Sequence, residues 1–141
     1  ARPTIGRATM PIIIEQNTTG STDVVLQESE SLLYSCPCPC VLHLSGENKG
    51  AGQVTITSRG VYWISQETSF FVDFRSITIH AVSRDLTNFP DPCIYSQIEN
   101  GSPEEEPCEM RLVPEANDQL HFIFHSMSEG AALNPDSDKE G

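Results

Sequence analysis

Gly60-Val61-Tyr62-Trp63-Ile64-Ser65, Ser69-Phe70-Phe71-Val72-Asp73-Phe74 and Ser76-Ile77-Thr78-Ile79-His80-Ala81-Val82-Ser83-Arg84-Asp85 follow one another closely and decide the fold. Each is short and rich in β-branched and aromatic residues, with apolar and polar positions alternating. Val61 and Trp63 fall on one face of the first. Phe70, Val72 and Phe74 share a face of the second, and Ile77, Ile79 and Ala81 share a face of the third. A period of two over runs of this length predicts strands of a half-buried antiparallel sheet. Ser83-Arg84-Asp85 reads as the turn that ends the third strand.

The pattern extends in both directions. Residues 53–57 alternate with Val54 and Ile56 inward, and a Ser58-Arg59-Gly60 turn pairs them with residues 61–65. Leu32-Leu33-Tyr34 and Val41-Leu42-His43-Leu44 are strand-like and flank Cys36-Pro37-Cys38-Pro39-Cys40. Two prolines cannot donate ladder hydrogen bonds, which confines that run to an edge or a bulge. Residues 45–52, with three Gly, read as a flexible loop. Pro11-Ile12-Ile13-Ile14 is apolar enough to dock as an edge strand, and residues 17–23 read as loop. Residues 93–99 form another strand, with Ile94 and Ile98 on one face. Residues 100–109, carrying Glu104, Glu105 and Glu106, form a solvated acidic loop, and residues 110–113 are the last strand. From Glu115 to about Ala132 a helix is expected, started by Pro114 or Asn117. Leu120, Ile123, Phe124, Met127 and Ala131 make its apolar stripe, Gly130 lies near its end, and Asn134-Pro135 stops it. Such a helix must bury its stripe, and the open end between two curved sheets is the available place. The expected architecture is mainly β: a pleckstrin-homology-like domain of two packed antiparallel sheets capped by a C-terminal amphipathic helix. Residues 1–30 are assigned to a flexible N-terminal segment, 31–134 to the domain and 135–141 to an acidic tail. Met10 is read as a natural start, with residues 1–9 a cloning remnant or an upstream extension.

The 141 residues carry 8 basic and 20 acidic side chains, a net charge of −12. This repels phosphates, so direct binding to nucleic acid or anionic lipid is not expected, whereas a basic protein partner is favoured. No apolar run is long enough to span a bilayer, and no leader pattern is seen, so a cytosolic or nucleocytoplasmic, monomeric protein is expected. Five cysteines do not suggest a disulfide framework. In extended chain the thiols of Cys36, Cys38 and Cys40 project to one side, and Cys93 or Cys108 would be a fourth zinc ligand. One intervening residue is short of the usual zinc spacing, so reduced, partly buried thiols are expected and no metal or cofactor is assigned.

Other chemistry is equally sparse. His121 and His125 lie four apart on the expected helix, but Phe122 stands where a zinc protease places Glu. His80 sits opposite the Ile77/Ile79 face and is read as part of a structural network. Ser83, Arg84 and Asp85 are adjacent and cannot converge on one atom. There is no phosphate-binding Gly-rich loop and no nucleophile elbow, so no catalytic residue is assigned. Lys49 against Glu47, with Arg59 and Arg75 isolated, argues against a phosphoinositide site. What remains is backbone chemistry: a curved sheet with a free edge accepts a strand from another protein, and acidic loops select a basic one.

Tyr62-Trp63, the segment from Ile77 to Asp85, Met110-Arg111-Leu112-Val113-Pro114, and the helix ending in Ala131-Ala132-Leu133-Asn134-Pro135-Asp136 occur in an order and spacing that resemble the pICln family. Its members are methylosome subunits historically described as chloride conductance regulators. The resemblance covers about Glu30 to Asp138. It implies a pleckstrin-homology-like chaperone that binds Sm proteins by mimicking a strand edge, blocks premature RNA loading and presents Sm tails to an arginine methyltransferase complex. It also carries the older function, regulation of a swelling-activated anion conductance. An unrelated pleckstrin-like adaptor for lipid or peptide is the other alternative. The expected docking edge lies in Ile77–Ser83 (Ile77, Ile79, Ala81, Ser83) or in residues 93–99 (Ile94, Ser96, Ile98), helped by Glu104, Glu105 and Glu106. The short loop at 100–109 and the absence of a long acidic tail depart from the family pattern. They leave methyltransferase binding less secure than Sm binding.

Overall fold

A computed structural model describes residues 12–16, 24, 26, 28–84, 86–87, 90–99 and 108–133. The strands are β1 (Ile12–Gln16), β2 (Leu32–Ser35), β3 (Cys40–Leu44), β4 (Glu47–Thr57), β5 (Gly60–Ile64), β6 (Thr68–Asp73), β7 (Ile77–Ser83), β8 (Cys93–Ile98) and β9 (Cys108–Pro114). A helix, α1 (Leu120–Leu133), follows them. All strand pairs are antiparallel, in the order β1-β6-β5-β4-β3-β9-β8-β7, with β2 also on β4. β4 joins two sheets. Its first half pairs with β3 (Val41 opposite Ala51), and its second half pairs with β2 (Ser35 opposite Thr55).

The β4–β5–β6 meander follows the alternation. Val54, Ile56, Val61, Trp63, Phe70, Val72 and Phe74 are all buried. They meet Leu42, Ile94, Ile98, Met110 and Leu112 from the other sheet, and Leu120, Ile123 and Met127 of α1, in one core. Each such side chain contributes about 1.5–3 kcal/mol on leaving water. Trp63 is anchored as well as buried, its Nε1 donating to the Cys40 carbonyl at 2.9 Å. On the outer face, the buried Glu30 carboxylate accepts from Thr57 Oγ1 (2.6 Å) and the Tyr62 hydroxyl (2.8 Å), which ties the approach to β2 onto the meander.

Several expectations are corrected. Residues 47–52 are strand, not loop. Only Ser45 and Gly46 form the turn, with φ of 50° and 86°, the positive pair that a two-residue hairpin requires. Low β-propensity is overridden because β4 is paired along its length. β9 reaches back to Cys108, which read as acidic loop. α1 begins at Leu120 rather than Glu115, after a 3-10 turn at Asn117–Gln119, and ends at Leu133, close to the expected limit. β7 is the largest correction. Its register shifts between Ile77 and Ile79, so the face reverses: Ile79 and Ala81 point outward while His80 and Val82 turn inward. A bulge inserts one residue, and one residue is half the side-chain period. Among the described residues no helix is long and apolar enough to cross a membrane.

Candidate partner-binding edge

Among the described residues, β1, β2 and β7 are paired on one side only. α1 lies across the opening between β2 and β7. At its start, the Tyr34 hydroxyl of β2 donates to the Gln119 side chain, and the Tyr34 ring stacks on Phe122 with centroids 5.9 Å apart. Near its end, His80 Nε2 of β7 lies 3.0 Å from Ser128 Oγ, and the His80 ring tilts against Phe124 at 5.2 Å. Burial lowers the His80 pKa, favouring the neutral ring in this contact. The histidine therefore pins the edge strand to the helix, a structural role.

β7 is thus held from its inner face and left open on its outer face. Ile79 is 49% exposed and Ala81 is exposed, while the Thr78 hydroxyl donates to the Gln97 carbonyl of β8 at 3.2 Å. Ile77 and Ser83 are partly buried at the two ends. β8 does not supply an edge. It pairs with β7 on one side and β9 on the other, and Ile94, Ser96 and Ile98 are wholly buried beneath α1. Their alternation resembles an edge strand's because a half-buried central strand has the same period. Glu104, Glu105 and Glu106 lie outside the described residues.

The other singled-out side chains are dispersed. His121 and His125 are exposed, His121 beside Phe122 at 4.1 Å. Lys49 is paired with Glu47 at 2.8 Å, Arg59 stacks over Phe71 at 5.0 Å, and Arg75 is exposed within a 3-10 turn at Phe74–Ser76. No group of acidic, Cys or His residues among those described is arranged to hold a metal ion. Glu30 went unnoticed in the sequence, where a lone Glu in a polar segment carries no signal. Its hydrogen bond, after burial, pushes the Tyr62 hydroxyl up to about 12.

Residues 52–141 match the Voldacs family model, described as a regulator of volume decrease after cellular swelling. The chain is 36% identical over 143 residues to the chloride conductance regulatory protein ICln of Arabidopsis thaliana, covering 86% of this chain and 61% of that protein. It is 29% identical over 114 residues to the methylosome subunit pICln of Canis lupus familiaris, covering 69% of this chain and 48% of that protein. It therefore spans less than two thirds of the curated relatives it matches. A chain from the solved structure of the 8S snRNP assembly intermediate superposes with a TM-score of 0.68 at 22% identity, covering 89% of this chain and 94% of that one. The Vps36 N-terminal PH domain superposes with a TM-score of 0.64 at 17% identity, covering 85% and 94%. At such identities the likeness speaks to the fold alone, which is pleckstrin-homology-like.

Proposed function

The chain belongs to the Voldacs family of ICln-type proteins, and from that premise we propose that it is an Sm-protein assembly chaperone that docks its client on the free edge of β7. The observation that carries this reading is the geometry of β7: unpaired on one side among the described residues, apolar outward at Ile79 and Ala81, and braced from within through His80. An added strand there gains main-chain hydrogen bonds without disturbing the core. A net charge of −12 speeds encounter with a basic client and keeps RNA phosphates away from the docked complex. The names of the methylosome-subunit relatives, and the fold shared with a chain of an snRNP assembly intermediate, support the same direction. Presentation of the client to an arginine methyltransferase complex completes the reading. The family description is that of a regulator, and no catalytic role is proposed for any residue.

The second reading, regulation of a swelling-activated chloride conductance, is favoured by the family description and by the name of the Arabidopsis relative. In it the chain acts on other proteins from the cytoplasm. The deciding experiment is capture of purified Sm heterodimers by this chain at low and moderate salt. Stoichiometric capture that weakens with salt supports the chaperone reading. If neither this chain nor one extended to the length of its relatives captures Sm heterodimers, that reading fails and the conductance reading stands.

A further inference from the structure

The Cys-Pro alternation has no part in the edge. Residues 36–39 leave the ladder between β2 and β3: Cys36 N still donates to Val54 O (3.0 Å), and pairing resumes with Cys40 opposite Gly52. The Gln53 side chain fills the gap, its Nε2 donating to the Cys36 carbonyl at 2.6 Å. The chain therefore bulges out of the ladder between two strands that run the same way along β4, rather than staying extended. Cys36 Sγ comes to lie 3.8 Å from Cys38 Sγ and 3.7 Å from Cys40 Sγ. The three thiols grade inward: Cys38 is partly exposed, Cys36 is 1% exposed and Cys40 is wholly buried. Cys108, by contrast, contacts Ser45 at the far end of the β3–β4 hairpin. Three thiols in contact, with no fourth ligand among the described residues, suit exchange chemistry better than zinc.

We propose that Cys38, Cys36 and Cys40 form a thiol relay that takes a disulfide bond from a small-molecule disulfide, such as oxidised glutathione, and ends as a buried Cys36–Cys40 disulfide. The Cys38 thiolate attacks one sulfur of the external disulfide, and the first glutathione leaves as thiolate. Cys36 Sγ then attacks Cys38 Sγ, and the second glutathione leaves. Finally Cys40 Sγ attacks Cys36 Sγ, and Cys38 leaves as thiolate, taking up the proton that Cys40 loses. Two protein thiols are thereby oxidised and one disulfide is reduced to two glutathione thiols. Each intramolecular step needs its sulfurs to close from contact to a bond of about 2.0 Å.

The environment favours this sequence of attacks. The hydrogen bond from Cys40 lowers the Cys36 thiol to about 6, against the effect of burial, so the central sulfur is the ready nucleophile. Burial raises Cys38, which makes the first attack the slow, base-accelerated step. Cys40 is raised chiefly because its proton is held on Cys36; that cause vanishes once Cys36 is bound in a disulfide.

The test is to incubate the whole reduced chain with oxidised glutathione, quench in acid, and alkylate the remaining thiols after unfolding for peptide mapping. Cys38 is expected to be alkylated, with Cys36 and Cys40 protected. Cys36→Ser should accumulate glutathione on Cys38, because nothing resolves the mixed disulfide. Cys38→Ser should oxidise about tenfold more slowly or less. A wild-type rate in Cys38→Ser, or Cys36 and Cys40 left alkylatable in the wild-type chain, overturns the proposal. Cys38 is partly exposed, so its variant decides the matter even where Cys36→Ser fails to fold.

Discussion

Gly130→Ala sets two opposing effects against each other, and the structure determines the sign. Gly130 is in the last turns of α1, where alanine ordinarily gains about 1 kcal/mol over glycine. A Cβ at this position would lie 2.1 Å from Phe74 Cε2 and 2.4 Å from Cζ. Carbon atoms in contact sit about 3.5–4.0 Å apart, so ring and helix must separate by roughly 1.5 Å. Phe74 has little room to yield. It is 4% exposed, its backbone N–H donates to Arg59 O at 3.1 Å, and the Asp73 carboxylate caps the following turn through Arg75 N at 2.8 Å. Overpacking of this kind costs about 1–3 kcal/mol, which leaves a net loss of up to about 2 kcal/mol after the propensity gain. For a chain of this size that is a fall in Tm of up to about 8 °C by calorimetry. Because the clash is with one ring, Phe74→Leu should relieve it, and the double variant should be more stable than the sum of the two single effects. A rise in Tm for Gly130→Ala, or strictly additive effects in the cycle, would refute the argument that helix and 3-10 turn are in contact here.

Three further outcomes follow from other parts of the molecule. Ile79→Asp, on the outward face of β7, should weaken Sm capture at least about tenfold while shifting Tm little, since roughly half of this side chain is already in water; equal capture would remove β7 as the docking edge. His80 has a folded pKa depressed by burial, so the unfolded chain binds more protons just below pH 6.5; the stability the neutral ring contributes is complete above that value and is lost as pH falls through the folded pKa. Urea midpoints measured from pH 7 to 5 should fall more steeply in wild type than in His80→Gln, and parallel curves would contradict this. Glu30→Ala strands the Thr57 and Tyr62 hydroxyls in a buried site and should cost about 2–3 kcal/mol, with the Tyr62 ionisation, followed by ultraviolet absorbance, dropping from about 12; an unmoved titration would mean Glu30 does not hold that hydroxyl.

The legible parts of the fold were those where local chemistry and tertiary demand agree. The alternation of Val54, Ile56, Val61 and Trp63 placed these side chains in the core, whereas their register, with Ile56 opposite Val61 and Gly60 already in β5, is set by the fold. The stripe through Leu120, Ile123 and Met127 led to the helix that closes the sandwich. Legibility failed where pairing overrides propensity. Asn48, Lys49 and Gly50 look like loop because this part of β4, which pairs with β3 before β5 joins at Gln53, needs no apolar residues. Ile94 and Ile98 look like an edge because a strand's period does not reveal how many neighbours it has. The three clustered thiols were visible as composition, but their contacts depend on the bulge between β2 and β3.

Residue types and their periods determined by themselves that this chain is mainly β with a closing helix, that its surface is acidic, and which motifs ally it with its family. These are local or summed properties, readable without knowing which segments meet. Only the tertiary structure decided which way β7 faces, because one extra residue between Ile77 and Ile79 reverses a two-residue period without altering composition. It alone decided that β8 is internal while β7 is paired on one side only among the described residues, that Glu30 is buried under Tyr62, and that Gly130 packs against Phe74. Each of these is set by long-range neighbours, which a linear period does not encode.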